Sequence, residues 1–401
     1  MDNSLLEISK QAERCQCGNQ HHELSIEKIV INNRALEDAV LFLEKKSLKN
    51  IVLVADTNTY EVAGNKLYKL LSEKGIHVEV CFIEPDRLND VVANEESIVQ
   101  LLLAVPPKTD VLLSVGAGTL HDITRVVSYK MGLPFISIPT APSVDGFNSM
   151  GAPLVIKGIK KTYQTQAPIA VFADINILED APQKMIAAGF GDMLGKSTSL
   201  ADWKFSSLIG GEPFCPLVYQ ITKEALQSCI NNRSQIALGS EEGIKVLMES
   251  LINSGLAMLI MGQSHPASGA EHHISHYWEM DFMRNKQPQV LHGAKVSISC
   301  YLIADLYKNK VKDAINTLSL GNEHTDSEKV TKVIEQKEAI LEIINSIPNS
   351  TELKEMVQEL GGETEPEELG ITDNLLQRSF QEAHLIRDRF TLLKFYNEYI
   401  R

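Results

Sequence analysis

Between residues 50 and 174 the chain alternates short, unbroken apolar runs with amphipathic stretches. The runs are NIVLVAD (50–56), HVEVCFI (77–83), DVLLSVGAG (110–118), PFISIPT (134–140) and PIAVFAD (168–174), each ending in Asp, Gly, Ile or Thr. Val- and Ile-rich runs of this length without polar alternation predict strands buried on both faces, as in a parallel sheet covered by helices. Segments such as NKLYKLLSEKG (65–75) and ESIVQLLLAV (96–105) supply the helices. From about residue 181 the strand runs stop, and apolar residues recur at three- and four-residue intervals through PLVYQITKEALQSCINN, EEGIKVLMESLINSGLAMLIMG and AKVSISCYLIADLYKN. That spacing predicts a helical second half. No repeat of solenoid length is present. At 401 residues the chain exceeds the size at which single cores stop growing. The expectation is a Rossmann-like parallel α/β domain over 1–180 and an all-α domain over 181–401.

Composition narrows the function. A formal charge of −14 without a basic stripe excludes the phosphate-backbone binding that nucleic-acid partners demand. No long uncharged apolar run and no basic-then-apolar start occurs, so a membrane partner is not expected and a cytoplasmic location is. Six scattered cysteines, at 15, 17, 81, 215, 229 and 300, fit a reducing compartment rather than a disulfide framework. Cys15, Cys17, His21 and His22 have the look of a zinc cluster, but no second ligand pair follows at finger spacing. A flexible polar arm is the preferred reading there.

The densest chemistry lies in SGAEHHISHYWEM (268–280), where His272 and His276 stand four residues apart and are followed by His292 in LHG. Imidazoles on one helix face, with Asp192 from GFGDMLGK, are a donor set for a divalent ion with coordination positions left open. A solvated or internally satisfied pair is the other reading of such spacing. Ser268 and Glu271 read as a capping box starting this helix, and His273 then points about 100° away from His272. His121, His265 and His273 read as structural. In the first half, a strand runs into Gly116, Ala117, Gly118 and Thr119 and then a helix beginning near Leu120. Unobstructed backbone N–H groups there form a pyrophosphate cradle or simply a tight turn. Asp56, ending its strand, is either a ribose-hydroxyl acceptor favouring NAD over NADP or the cap of the next helix. The loop IPTAPSVDGFNSMGAP (138–153) carries Thr140, Ser143, Asp145 and Ser149 at a strand's carboxyl end, a candidate cleft lining.

In order and spacing, GAGTLHD (116–122), PTAPSVDGFNS (139–149), APIAVFADINIL (167–178), GFGDMLGK (189–196), ASGAEHHISHYWE (267–279) and LHG (291–293) resemble the glycerol-1-phosphate dehydrogenases, bacterial branch, of the iron-containing alcohol dehydrogenase superfamily. The resemblance implies a dinucleotide-binding domain, a helical domain and a cleft between them. It places metal ligands on Asp192, His272 and His292. Dinucleotide contacts fall on Asp56, on Gly116 to Leu120 (with Ala117, Gly118 and Thr119), and on Thr140, Ser143 and Ser149. Asp145, Asp192 and His276 face the substrate as catalytic residues. Lys196 stands where many relatives have a further histidine, so three ligands are expected, with nickel, or alternatively zinc, rather than iron. The resemblance further implies NAD(H), with NADP(H) as the other option, a homodimer, and glycerol 1-phosphate formed from dihydroxyacetone phosphate for phospholipid synthesis.

The residue chemistry is compatible with that implication. A divalent ion lowers the pKa of a bound hydroxyl and, in reverse, polarises a ketone, and His276 is placed to relay the proton. Lys160, Lys161 and Lys196 are basic residues near the motifs, with no spacing to single out a phosphate ligand. Three alternatives remain at this stage: a dehydrogenase of glycerol or another unphosphorylated alcohol, a lyase of the dehydroquinate synthase type, and a non-catalytic binding protein.

Overall fold

The computed structural model of the protein describes residues 2–319 and 327–401. Six strands form one parallel sheet: β1 (Lys28–Asn32), β2 (Asn50–Ala55), β3 (His77–Phe82), β4 (Val111–Gly116), β5 (Phe135–Pro139) and β8 (Ala170–Asp174). Their spatial order is β1-β8-β5-β4-β2-β3. The five apolar runs all become strands, and β4, β5 and β8 are buried along their whole length. The chain moves outward from β2 to β3, then returns to the other side of β2 as β4, which creates a switch point between β2 and β4. In open α/β sheets, ligands bind outside the carboxyl ends of the strands at such a point.

Strand β1 was not foreseen, nor was a separate antiparallel hairpin of β6 (Gly151–Ile156) and β7 (Ile159–Gln164). The hairpin turns through Lys157 and Gly158, both at positive φ (53° and 73°), the conformation that suits a two-residue turn between twisted strands. The helix after β4, α1 (Gly118–Met131), starts two residues earlier than the sequence indicates.

Beyond residue 174 the described chain is helical. Its largest elements near the sheet are α2 (Gln183–Leu194), α3 (Lys196–Phe205), α4 (Glu241–Met261), α5 (Ala270–Arg284) and α6 (His292–Leu306). Helix α4 is long and apolar enough to cross a membrane by length and composition, but 72% of its apolar window is buried inside the fold, as befits a core helix. The segment of Cys15, Cys17, His21 and His22, expected to be a flexible polar arm, is irregular but tied down by the Asn19 amide on the Phe214 carbonyl and the His22 N–H on the Ile260 carbonyl, and the helix before it, Asp2–Glu13, packs Leu5 and Ala12 into the cores of the helical half. The sequence reading missed this because the residues that receive it, such as Leu200 and Trp203, lie nearly 200 positions away.

Candidate active site

Glycines bring the second half's helices to the sheet. A Cβ on Gly189 of α2 would stand 1.8 Å from the Pro142 carbonyl oxygen, and one on Gly293 of α6 would stand 1.7 Å from the Ala188 carbonyl oxygen. A Cβ on Gly191 would lie 2.5 Å from the Gly293 oxygen. The glycines of GFGDM and LHG are therefore contact residues between backbones, and the approach they permit carries Asp192 to His292. The polar loop before β6 is fixed by Arg125 of α1. Its fully buried guanidinium donates to the carbonyls of Gly146 (2.5 Å) and Gly151 (2.8 Å) and pairs with Asp122 at 2.7 Å.

Donor atoms of Asp192, His272 and His292 lie within 4.8 Å of one another. His272 turns Nε2 toward Asp192 Oδ1, at 3.7 Å, and its Nδ1 meets Glu271 Oε1 at 2.8 Å. Burial opposes a charge on Glu271, but His272, the Gly269 N–H (2.6 Å to Oε1) and the Thr198 hydroxyl (2.7 Å to Oε2) hold its pKa below the usual carboxylate value. A carboxylate behind one imidazole nitrogen fixes the tautomer with the other nitrogen's lone pair free, the usual support of a metal-ligating histidine. The set of one carboxylate and two imidazoles could hold a divalent ion. This pairing also corrects the expected capping box: the helix is entered through Gly269 with no side-chain cap, because Glu271 faces inward to His272 and Thr198 and the Ser268 hydroxyl reaches no N–H.

Lys196 occupies the neighbouring position on α3. Its buried ammonium lies 2.6 Å from Asp192 Oδ1 and 2.9 Å from Asp145 Oδ2. Burial works against the charge, yet the two carboxylates raise its pKa overall. Lys196 is thus committed to carboxylates and is not a free phosphate ligand. Asp145 also receives the Ser254 hydroxyl at 2.8 Å, and its backbone N–H donates to Asp192 Oδ2 at 3.0 Å.

Asp145, Asp192, His272 and His292 line a cavity of about 480 Å³ between the carboxyl ends of the strands and the helical half. Of the residues singled out in sequence, Ala117, Gly118, Thr119, Ser143, Asp145, Ser149, Asp192, His272, His276 and His292 line it. Gly116, Leu120, Thr140 and Asp56 do not. Gly116 is needed where it stands, since a Cβ would meet Leu120 at 2.3 Å, and Leu120 points into the core. Thr140 donates its N–H to the Gly116 carbonyl at 3.1 Å. Asp56 caps the next helical turn, accepting from the Thr59 N–H at 2.7 Å in a capping box. The β2–β4 register, with Val54 level with Ser114, puts Asp56 level with Gly116 at the same edge of the sheet. At the start of α1 no side chain caps the first turn. Helix starts without a side-chain cap present N–H groups that suit an anion.

Three further lining residues, Glu279, Lys295 and Arg387, were not reached by sequence reasoning. Glu279 of α5 lies with His276 and His292 in a second donor group, also within 4.8 Å. Lys160 of β7 meets both Glu279 oxygens at 2.8 Å and Lys295 of α6 meets one at 3.3 Å. Burial opposes ionisation of Glu279, and these two ammonium groups overcome it and lower its pKa. Arg387 donates to His276 Nδ1 at 3.1 Å. Since a guanidinium only donates, His276 carries its proton on Nε2. Burial, then the Arg387 charge, push the His276 pKa well below its ordinary value, so the imidazole is neutral. Glu279 and Lys295 each stand on a helix carrying a noted histidine, which was a usable signal; Arg387 offered none. His121 is structural as expected, held between the Ala117 carbonyl (2.9 Å) and Ser137 (2.7 Å) with its pKa pushed down to about 3 by burial.

The parallel sheet, the helical half and the Asp–His–His group at their junction define a dehydrogenase of the iron-containing alcohol dehydrogenase class. Residues 30–182 match the family described as iron-containing alcohol dehydrogenase. The crystal structure of iron-containing alcohol dehydrogenase from Corynebacterium glutamicum shares the fold, with a TM-score of 0.68 at 15% identity over 95% of this chain and 96% of that one. Similarity in sequence is more specific. The chain is 48% identical to the glycerol-1-phosphate dehydrogenase (NAD(P)+) of Geobacillus stearothermophilus, over 100% of this chain and 99% of that one. It is 46% identical to the enzyme of that name from Halalkalibacterium halodurans, over the whole of both. The chain belongs to the NAD(P)-dependent glycerol-1-phosphate dehydrogenase family.

Proposed function

We propose that the protein reduces dihydroxyacetone phosphate to glycerol 1-phosphate with NADH, and catalyses the reverse oxidation, for phospholipid synthesis. The observation that carries this choice of substrate is the cationic wall of the cavity, where Lys160 and Lys295 pair with Glu279, Asp122 is taken up by Arg125, and Arg387 has no carboxylate partner among the described residues. Buried cations in excess of carboxylates favour an anionic ligand. They do so beside the Asp192, His272 and His292 group, within reach of one small phosphorylated ketone. Glycerol or another neutral alcohol gives these charges no partner.

When bound, a divalent ion at Asp192, His272 and His292 polarises the substrate's oxygens, and a reduced nicotinamide supplies the hydride. The chain's own residues do the rest. Asp145 and Lys196 hold Asp192 in place. Glu271 orients His272, and the first turn of α1 with Ser143 and Ser149 receives the dinucleotide. Arg387 keeps the proton of His276 on Nε2, so that this nitrogen donates to the substrate oxygen as negative charge develops on it. Asp56 supplies a charge against a 2′-phosphate, favouring NADH. The metal is nickel, with zinc as the alternative, and the working unit is a homodimer, two expectations that come from the resemblance; the cytoplasmic location is the expectation from composition.

The test is steady-state turnover of NADH with dihydroxyacetone phosphate, set against NAD+ reduction with glycerol, with chiral analysis of the product. Arg387→Gln removes charge-assisted hydrogen bonds of about 1.5–3 kcal/mol, and is expected to lower kcat/KM for the phosphorylated ketone by roughly ten- to a hundredfold, mainly through KM. Equal or better turnover of glycerol by the wild type would defeat the reading.

A further inference from the structure

A second cluster lies away from the cavity, where the segment after the N-terminal helix meets the helical half. Sγ of Cys15, Sγ of Cys17, Nε2 of His21 and Sγ of Cys215 belong to one group whose donor atoms all fall within 4.8 Å of one another. Cys15 and Cys215 Sγ are 3.6 Å apart, Cys17 Sγ is 3.3 Å from His21 Nε2, and Cys215 Sγ is 3.6 Å from the same nitrogen. A tetrahedral zinc with bonds of about 2.3 Å to sulfur and 2.0 Å to nitrogen sets its ligands roughly 3.5–3.8 Å from one another. The three distances fall at or just under those edges. None of the four residues lines the catalytic cavity.

The backbone is shaped to present these atoms. Gly18 takes φ +83°, turning the chain between the two cysteines and His21, with no heavy atom within 4 Å of a would-be Cβ. Asn19 donates to Cys17 Sγ at 3.3 Å and to the Phe214 carbonyl at 2.8 Å, so it joins the segment to the residue before Cys215. The His22 N–H donates to the Ile260 carbonyl at 2.9 Å. Cys215 is fully buried at the N-cap of the helix Pro216–Asn231, so its sulfur lies at that helix's positive end. Three thiolates and a neutral imidazole around Zn²⁺ carry one net negative charge, which that helix end and the Asn19 amide face.

The geometry points to a structural Zn²⁺ site formed by Cys15, Cys17, His21 and Cys215, which fastens the N-terminal helix to the helical half. Four protein ligands leave no open position, so the ion is a staple and takes no part in turnover. Zinc binding releases the thiol protons and adds its free energy to the folded state.

The decisive measurement is the absorption spectrum of wild-type protein produced with cobalt in place of zinc. The catalytic donor set contains no sulfur, so a thiolate-to-cobalt charge-transfer band with intense tetrahedral visible bands reports this cluster alone. Metal analysis of zinc-grown protein is expected to find one zinc per chain retained in His292→Ala, and one zinc per chain fewer than wild type in the Cys15→Ser/Cys17→Ser double variant. Stoichiometric cobalt without the thiolate band would overturn the proposal, as would a Cys15–Cys215 disulfide in the mass spectrum of native protein. The wild-type spectrum decides the matter even if the double variant fails to fold.

Discussion

Replacing Glu271 by glutamine isolates the charge behind His272. The amide oxygen of the new side chain can accept from the Gly269 N–H and from His272 Nδ1, as Glu271 Oε1 does at 2.6 and 2.8 Å. Its amino group then faces Thr198, whose hydroxyl already has the Gly195 carbonyl within 3.2 Å and is free to accept instead of donating to Glu271. Every hydrogen bond survives in a side chain of the same shape, and only the negative charge is lost. A carboxylate in this supporting position is worth about 10- to 100-fold in metal affinity, or about 1.4–2.8 kcal/mol. The expectation is a metal Kd weakened by that factor, read by competition with a chelator, while kcat at saturating metal changes by no more than a few-fold. Stability of the metal-free protein in urea should barely move. The reverse pattern, an unchanged metal Kd with a less stable metal-free protein, would return Glu271 to the capping role that the sequence suggested.

Gly293→Ala drives a Cβ to 1.7 Å from the Ala188 oxygen, so α2 and α6 must part by on the order of 1.5 Å. Urea unfolding should show a loss of about 1–3 kcal/mol, and kcat should fall by roughly a hundredfold as Asp192 leaves His292; wild-type values for both would refute the close-contact reading. Lys196→Met leaves Asp145 and Asp192 unpaired and should cost the metal-free protein about 3–5 kcal/mol. Metal-loaded protein should lose clearly less, because the ion takes over the compensating charge, and equal losses would count against metal binding at Asp192. Asp56→Ser keeps a good cap and removes the charge, so unfolding should be unchanged while a wild-type preference for NADH over NADPH of about tenfold shrinks toward unity. An unaltered ratio would leave Asp56 as a cap alone.

The sheet was legible where burial on both faces writes itself as unbroken apolar runs, as in β2, β4, β5 and β8; the fifth run, HVEVCFI, is a strand too, but as edge strand β3 it is exposed at three of its six positions and not buried on both faces as expected. What escaped is what lacks that signature. Strand β1 is an edge strand of five residues with a partly exposed end, and β7 is exposed at most positions, so neither shows a continuous apolar run. The metal-ligand candidates were readable because two histidines at helical spacing leave a local mark, whereas Cys215 is 194 residues from His21 and no local pattern joins them. Glycine was the least transparent residue. Gly189 and Gly191 sit inside a helix, and their role appears only when the Pro142 and Gly293 backbones are placed against them.

Charge distribution in the cavity is the physical ground for the substrate proposed above. On one side Asp145 and Asp192 share a single ammonium, Lys196, at 2.9 and 2.6 Å, so carboxylates are in excess and a further cation relieves them. On the other side Lys160 and Lys295 share a single carboxylate, Glu279, and Arg387 stands beside them with only neutral partners, at 3.1 Å from His276 Nδ1. Burial lowers the Arg387 pKa to about 10, still well above neutrality, so this side remains cationic. Each imbalance is costly in a low-dielectric site unless a ligand of opposite sign completes it. A divalent ion meets the first and a phosphate dianion the second. On the proposed function, a phosphorylated ketone would complete both, its oxygens on the side of Asp192, His272 and His292 and its phosphate on the side of Lys160, Lys295 and Arg387. A chain carrying a formal charge of −14 has little general attraction for phosphate. Selectivity for the phosphorylated substrate therefore has to be local, which is why the loss of one guanidinium at Arg387 is expected to register in KM.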